Sequence, residues 1–454
     1  MLLSSRRAKQ RVPGNVARYR GVTVDQSRES VAPLGDAPAF PLTELPPTTS
    51  IGINAQPRYP MFAVPIAMFG LIVALLPPLL VTIAVRLNEM NPTSAAGNVS
   101  LVLGVGAFFA FVANPIGGRL SDRTMSRFGM RKPWIIVGVL VGYVGIVLIA
   151  TAPGVTMILV GWAITQIGFN FALAALIAML PDQISASRRG RVASFVSLAQ
   201  NVGSVAATFL VQLFPLGLAQ NLVPSAVGLV ILFVFLLPMH DRVRTEKPTE
   251  TFNLKTLFGS FVFNPKKHPD LGWAWLTRFC LIVANTTATS YLTVYIIKDL
   301  GVKTADAPHL VFQATLANAL GIVLTTAVLG WLSDKLGRRK PFVVVSAIIA
   351  AVGLSIIAFS GSFNGVLLGE LILGAGMGSF LAVELALISD VLPSDADSGK
   401  DLGVVNIAQA LPQSLVPVGA PAAVAVFGYP GLFIGGAIFG IIGAISVTRV
   451  KKVK

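Results

Sequence analysis

The sequence predicts an all-α integral membrane fold, twelve transmembrane helices arranged as two pseudo-symmetric six-helix bundles. Composition is the first reason: of 454 residues, 54% are hydrophobic and 12% charged, with a mean hydropathy of +0.75, too few charges to clothe a surface in water. Spacing is the second, because apolar runs of the ~20 residues needed to cross ~30 Å of hydrocarbon recur from residue 61 to the end. An internal repeat, in which the second six runs echo motifs of the first, is the third.

In chain order, residues 1–60 carry Arg6, Arg7, Lys9, Arg11, Arg18, Arg20, Arg28 and Arg58 among many Pro, Ser and Thr with no apolar period. That is the composition of a disordered tail, and no apolar run follows the early arginines as a signal peptide requires. The first six spans are expected at 61–86, 97–118, 134–152, 155–181, 192–217 and 221–238, and the second six at 272–297, 308–332, 341–360, 364–392, 402–426 and 428–448. Residues 239–271 form the only long stretch between spans. They divide the chain into a basic tail (1–60), a bundle (61–238), a linker (239–271), a second bundle (272–448) and a short tail (449–454).

A formal charge of +15 in a soluble chain would suggest nucleic acid. Here, of 35 Lys and Arg, all but Arg86, Arg278, Lys298 and Lys303 fall in segments that alternate onto one side. The basic balance is therefore the positive-inside rule, which places both termini and the linker in the cytoplasm and the spans in the plasma membrane, and it excludes nucleic acid as a partner. Cys280 is the sole cysteine, so no disulfide or Cys-rich metal site is expected. His240, His268 and His309 fall in loops or at helix ends. With no nucleophile motif and no phosphate-binding Gly-Lys-[Ser/Thr] loop, the chain reads as no enzyme, needing no cofactor or metal, and as a monomer.

Gly118-Arg119-Leu120-Ser121-Asp122-Arg123 returns as Gly330-Trp331-Leu332-Ser333-Asp334-Lys335, an offset of 212 residues (118 to 330). Each copy leaves the second span of its half. The loops close as Gly129-Met130-Arg131-Lys132-Pro133 and Gly337-Arg338-Arg339-Lys340-Pro341, the first copy being four residues longer. The register then recovers, with Ala175-Leu176-Ile177 and Leu180-Pro181 matched by Ala386-Leu387-Ile388 and Leu392-Pro393.

These loops resemble the signature of the major facilitator superfamily, a resemblance that covers roughly 61–448. The longer first copy is more similar to the branch of sucrose-proton and glycoside-cation symporters. The resemblance implies alternating access between two rocking bundles, with the loops clasping them together on the cytoplasmic side. Gating residues are then Gly118, Asp122, Arg123, Gly129, Arg131, Gly330, Asp334, Lys335, Gly337 and Arg338. Asp122 is expected to meet the start of the eleventh helix near Leu402, and Asp334 the start of the fifth near Val192. Arg123, Arg131, Arg188, Arg189 and Arg338 are expected to extend the clasp through Asp182, Asp390 or lipid phosphate.

An ionisable group at membrane depth is costly, so each is a functional candidate. Arg278 lies in the seventh span, and Glu370 and Glu384 lie in the tenth, with Gly374 and Gly378 between them. At ~100° per residue Glu370 and Glu384 share a face, ~21 Å apart. The helix directions put Arg278 and Glu384 at similar depth. Either Glu384 exchanges a proton or cation with Arg278 assisting, or the two form a fixed ion pair; Glu370 either couples too or is wetted at the outer face. The glycines suit a cavity wall or close helix packing.

Polar groups at helical spacing give the substrate side: Gln166 and Asn170; Asn201 beside Ser197, Ser204 and Thr208; Asn285 and Thr289; Asn406, Gln409 and Gln413. Neutral donors and acceptors suit a small polyhydroxylated solute, though any single Ser or Thr here equally suits interhelical bonding. Phe169, Phe171, Tyr291 and Tyr295 are the aromatics available for stacking. The expected function is secondary active transport of a small polar solute, a sugar or glycoside, coupled to a proton or to sodium. A drug-proton antiporter of the same fold is the alternative, and a non-transporting membrane sensor or scaffold is the alternative of another class. The expected partners are a small-molecule substrate, the coupling ion and membrane lipids.

Overall fold

The first helix, α1 (Met61–Met90), shows how local sequence shapes the bundle. Pro77 and Pro78 remove two successive backbone donors, and the helix widens into a π turn over Pro78–Thr82 before resuming. The Leu80 carbonyl of that turn accepts the Thr293 hydroxyl from the other half of the molecule. Backbone left over by the prolines thus becomes a tertiary contact.

The computed structural model describes residues 60–245, 268–391 and 398–451. The basic tail and linker residues 246–267 lie outside them, as do the side chains of Asp334, Asp390 and 398–406, which include Lys400, Leu402 and Asn406. The described helices belong to one compact unit, Gln56–Lys454. After α1 come α2 (Ala95–Arg123), α3 (Lys132–Ala150), α4 (Val155–Gln183), α5 (Ala186–Gln212) and α6 (Leu218–Leu236). The second half opens with α7 (Pro269–Lys298), α8 (Ala307–Leu336), α9 (Lys340–Ser360) and α10 (Phe363–Val391).

The run Ser398–Thr448 breaks at Gly428, whose φ of 69° and ψ of −175° are not helical. Arg278 on α7 reaches Gln409 before the break, and its neighbour Thr277 reaches the Gly443 carbonyl after it. The chain therefore doubles back at Gly428, giving α11 (398–427) and α12 (429–448). With these, the described residues hold twelve membrane-length helices in two six-helix bundles. Helix ends overrun the expected apolar spans by several residues at α1, α2, α8 and the start of α5, because hydropathy marks the hydrocarbon while helices continue into the wet interface; α5 itself ends at Gln212, short of the expected 217.

Small residues set the packing. A Cβ built on Gly138 would lie 2.6 Å from the Gly168 carbonyl, and one on Gly374 would lie 2.0 Å from the Asn318 carbonyl. The α3–α4 and α8–α10 backbones therefore touch, as membrane helices do where side chains are absent. Gly374 and Gly378 are packing residues on α8 rather than a cavity wall. Between the halves, α2 packs on α11 and α5 on α8. α7 is the most enclosed span, with 83% of its apolar window buried, against 6% for α8.

Candidate functional site

The end of the bundle that carries the signature loops is called the loop end, and the other the far end. At the far end a ladder of polar contacts joins the two halves. Asn88 donates to Thr304 at 2.9 Å, Lys298 to the Pro92 carbonyl at 2.6 Å, and His309 meets Gln212 at 2.6 Å. Deeper in, the Tyr291 hydroxyl lies 2.7 Å from Ser100 and donates to the Pro417 carbonyl at 3.3 Å, so one side chain pins α7 to α2 and α11. Tyr291 and Tyr295 are 1% exposed and Phe169 is 0%. These aromatics are structural; filling the core took precedence over stacking, and only Phe171 keeps partial exposure.

The signature loop of the first half is a finished network. Arg131, 6% exposed at its side chain, pairs with Asp122 at 2.5 Å and Asp182 at 3.0 Å, and donates to Ser121 at 2.7 Å. The Asp122 side chain is 52% exposed and is engaged by Arg131 of its own half; the side chains at the start of α11, where its meeting near Leu402 is expected, fall outside the described residues. Gly118 and Gly330 have room in this conformation, their nearest neighbours to a built Cβ lying 3.9 and 3.4 Å away, whereas Gly117 would meet the Phe171 Cα at 2.8 Å. Arg123 ends α2. Arg188 and Arg191 lie exposed near the start of α5, and Arg189 bonds the Pro181 and Ile184 carbonyls.

The second copy is described in part. Gly337 ends α8 in the left-handed region (φ 59°), the Arg338 carbonyl accepts from Ser333 at 3.2 Å, and Lys335 lies 4.9 Å over the Trp331 ring. The Asp334 side chain, and so its expected meeting with Val192, falls outside the described residues.

Arg278 and Glu384 form an ion pair, their side chains 14% and 5% exposed. The other guanidinium arm donates to Gln409 at 3.1 Å, so one cation ties α7, α10 and α11 together inside the second half. Glu370 faces elsewhere. It is 4% exposed rather than wetted, and takes the Asn318 amide of α8 at 2.9 Å, while its Oε1 has no hydrogen-bond partner among the described residues. Glu370 and Glu384 thus serve different neighbours despite the shared face, because the helices on either side of α10 differ.

The polar stripes divide into occupied and open groups. Gln166 and Asn170 are buried, and the Asn170 amide is spent on Gln166, donating to its backbone carbonyl at 2.9 Å and to its side-chain oxygen at 3.2 Å. Asn201, half-buried, donates to the Ser197 carbonyl at 2.9 Å. Asn285 is half-buried, and Thr289 and Gln413 are exposed although α7 is the most enclosed span. Asn406 lies outside the described side chains. The structure brings Arg278, Glu384 and Gln409 together; Gln166 and Asn170 stand apart, in the first half.

A family model described as Major Facilitator Superfamily matches residues 60–318 and 307–453. The chain is a member of that superfamily. The family and the fold are those of transporters. A 105-residue stretch is 32% identical to Dipeptide and tripeptide permease A of Salmonella typhi, covering 23% of this chain and 20% of that one. The chain therefore spans about a fifth of the length of the curated relatives it matches first. The Putative transporter YdfJ of Escherichia coli (strain K12) is 24% identical over 294 residues, 59% of this chain and 66% of that protein. Among solved structures, a point mutant of the nucleoside transporter NupG superposes with a TM-score of 0.68 at 12% identity, covering 86% of this chain and 100% of that one. A D-xylose-proton symporter gives 0.65 at 18% identity, covering 87% and 98%. At such identities both likenesses are of fold.

Sequence reasoning missed Asp241, Asn318, and the Ser100–Tyr291–Pro417 junction. The Pro77–Pro78 pair and the lone acid in Met239-His240-Asp241-Arg242 were the available signals.

Proposed function

We propose that this superfamily member moves a small polar solute, a sugar or glycoside, by proton-coupled alternating access. The observation that carries the reading is the Arg278–Glu384–Gln409 triad, an ion pair held at membrane depth by three helices of one half. A buried ion pair stabilises little in itself, and its position inside the bundle suits a group whose charge changes during the cycle. Neutral side chains accompany it: Asn285 and Thr289 on α7 and Gln413 on α11 offer hydrogen bonds without fixed charge. The xylose- and nucleoside-carrying fold neighbours support a hydroxyl-bearing solute.

In this reading the loop end faces the cytoplasm of a cell's plasma membrane, both termini lie there, and 61–238 and 272–448 are the rocking units of a monomer. The polar ladder at the far end closes the outer side, and the signature loops gate the inner one. Glu384 takes the proton, and Arg278, released from it, stays held by Gln409. Purified protein in liposomes tests this with labelled sugars under an imposed pH gradient. Glu384→Gln is expected to abolish gradient-driven accumulation while keeping counterflow. Accumulation at the parent rate in that variant would remove Glu384 from the mechanism.

A further inference from the structure

α3 begins without a side-chain cap of its own: its N-cap residue, Arg131, makes none, and Pro133 follows. The free N–H groups at that terminus are satisfied from a distant segment. Asp241, just past α6, accepts from the Arg131 N–H at 2.6 Å and the Lys132 N–H at 2.7 Å through one carboxylate oxygen. Residues around it hold the same loop. The Met130 N–H donates to the Arg242 carbonyl at 3.0 Å, Gln183 donates to the His240 carbonyl at 3.1 Å, and Arg244 donates to the Asp122 carbonyl at 2.7 Å. Lys132 answers by capping the end of α6, donating to the Leu237 carbonyl at 2.5 Å and the Met239 carbonyl at 3.2 Å. Gly129 makes room for this, since a Cβ there would lie 2.2 Å from Asp241, and its φ of 103° suits glycine.

Residues 239–245 therefore lie as a strap across the first signature loop, fastened on both sides of Arg131. The strap grips the Arg131 backbone, and the Arg131 side chain grips Asp122. We propose that Asp241 is a positioning residue for the gate: by fixing the backbone of Arg131 it keeps Asp122 engaged within its own half, and so favours the conformation joined at the far end. Releasing the strap frees Asp122 for the other half and tips the balance toward opening at the far end. The second copy differs in sequence: its loop is four residues shorter, and the segment after α12 begins Arg449-Val450-Lys451 where the segment after α6 carries Asp241.

The proposal rests on the alternating-access reading, and its test reads conformation without substrate, so the two fail separately. Spin labels at Thr93→Cys and Ala305→Cys, exposed at the far ends of the two halves, report far-end opening on a Cys280→Ala background in full-length protein. Asp241→Ala is expected to raise the open population about fivefold, the effect of losing a typical cap, and Asp241→Asn, which keeps an acceptor, to restore the parent distribution. A disulfide between Met130→Cys and Arg242→Cys is expected to hold the far end closed until reduced. An unchanged distribution in Asp241→Ala, or a cross-linked protein that still samples both states, would overturn the proposal.

Discussion

Among the described residues, the first half shows a charge network at the loop end, where Asp122 is half in water, and the second half shows an ion pair among its helices, where Arg278 and Glu384 are nearly dry. The two described networks sit in different surroundings. Wet pairs exchange partners at little cost, as a gate must. A dry pair is expensive to break by one-sided change, which suits a step that needs a proton.

The largest effect expected from this contrast is at Arg278. Arg278→Ala strands Glu384 in the bundle and should cost about 3–5 kcal/mol, read as a lower Tm in detergent, with Arg278→Ala/Glu384→Gln recovering most of it. Asp122→Asn, in the wet network, should cost ~1 kcal/mol or less. Equal losses at the two sites would break the comparison.

Glycine substitutions sharpen it next. Gly117→Ala drives a methyl into the Phe171 backbone at 2.8 Å and should destabilise by about 1–3 kcal/mol. Gly118→Ala should leave Tm unchanged, so that any transport defect it shows belongs to gating. Smaller still is Tyr291→Phe. It removes the hydroxyl that meets Ser100 and the Pro417 carbonyl, worth about 1 kcal/mol. The labelled pair at Thr93 and Ala305 should then show a roughly fivefold larger open population.

The smallest effect expected is the pH dependence that Asp241 confers. Burial lifts its carboxyl above the ordinary carboxylate range, against the pull of the Lys132, Arg131 and Arg242 N–H groups and the Arg131 charge. A group that holds its proton more tightly docked than undocked favours docking most below its ordinary pKa, and that contribution fades as pH rises through the docked value. Far-end opening should therefore grow slightly from mildly acid to neutral buffer in the parent. Asp241→Asn should flatten that dependence.

Helix number, order and the duplicated loops were legible because hydropathy and repetition are properties of many residues at once. The pairing of Arg278 with Glu384 followed from helix direction and depth alone. What escaped depended on which neighbour lies across a helix. The Asn170 amide read as an open donor and is spent on Gln166, while Tyr291 read as a stacking surface and its hydroxyl is the bolt between halves. Asp241 looked like one acid in a basic linker; only the folded chain shows the helix terminus it caps.

Gly428 has a mechanical consequence. The turn between α11 and α12 is a single left-handed residue, so no slack chain exists to absorb a difference in motion between them. α11 holds Gln409 on Arg278 and the Pro417 carbonyl on Tyr291, and α12 lies along the other side of α7. The tight turn thus keeps α11 and α12 together against α7, with Pro412 between the two α11 contacts.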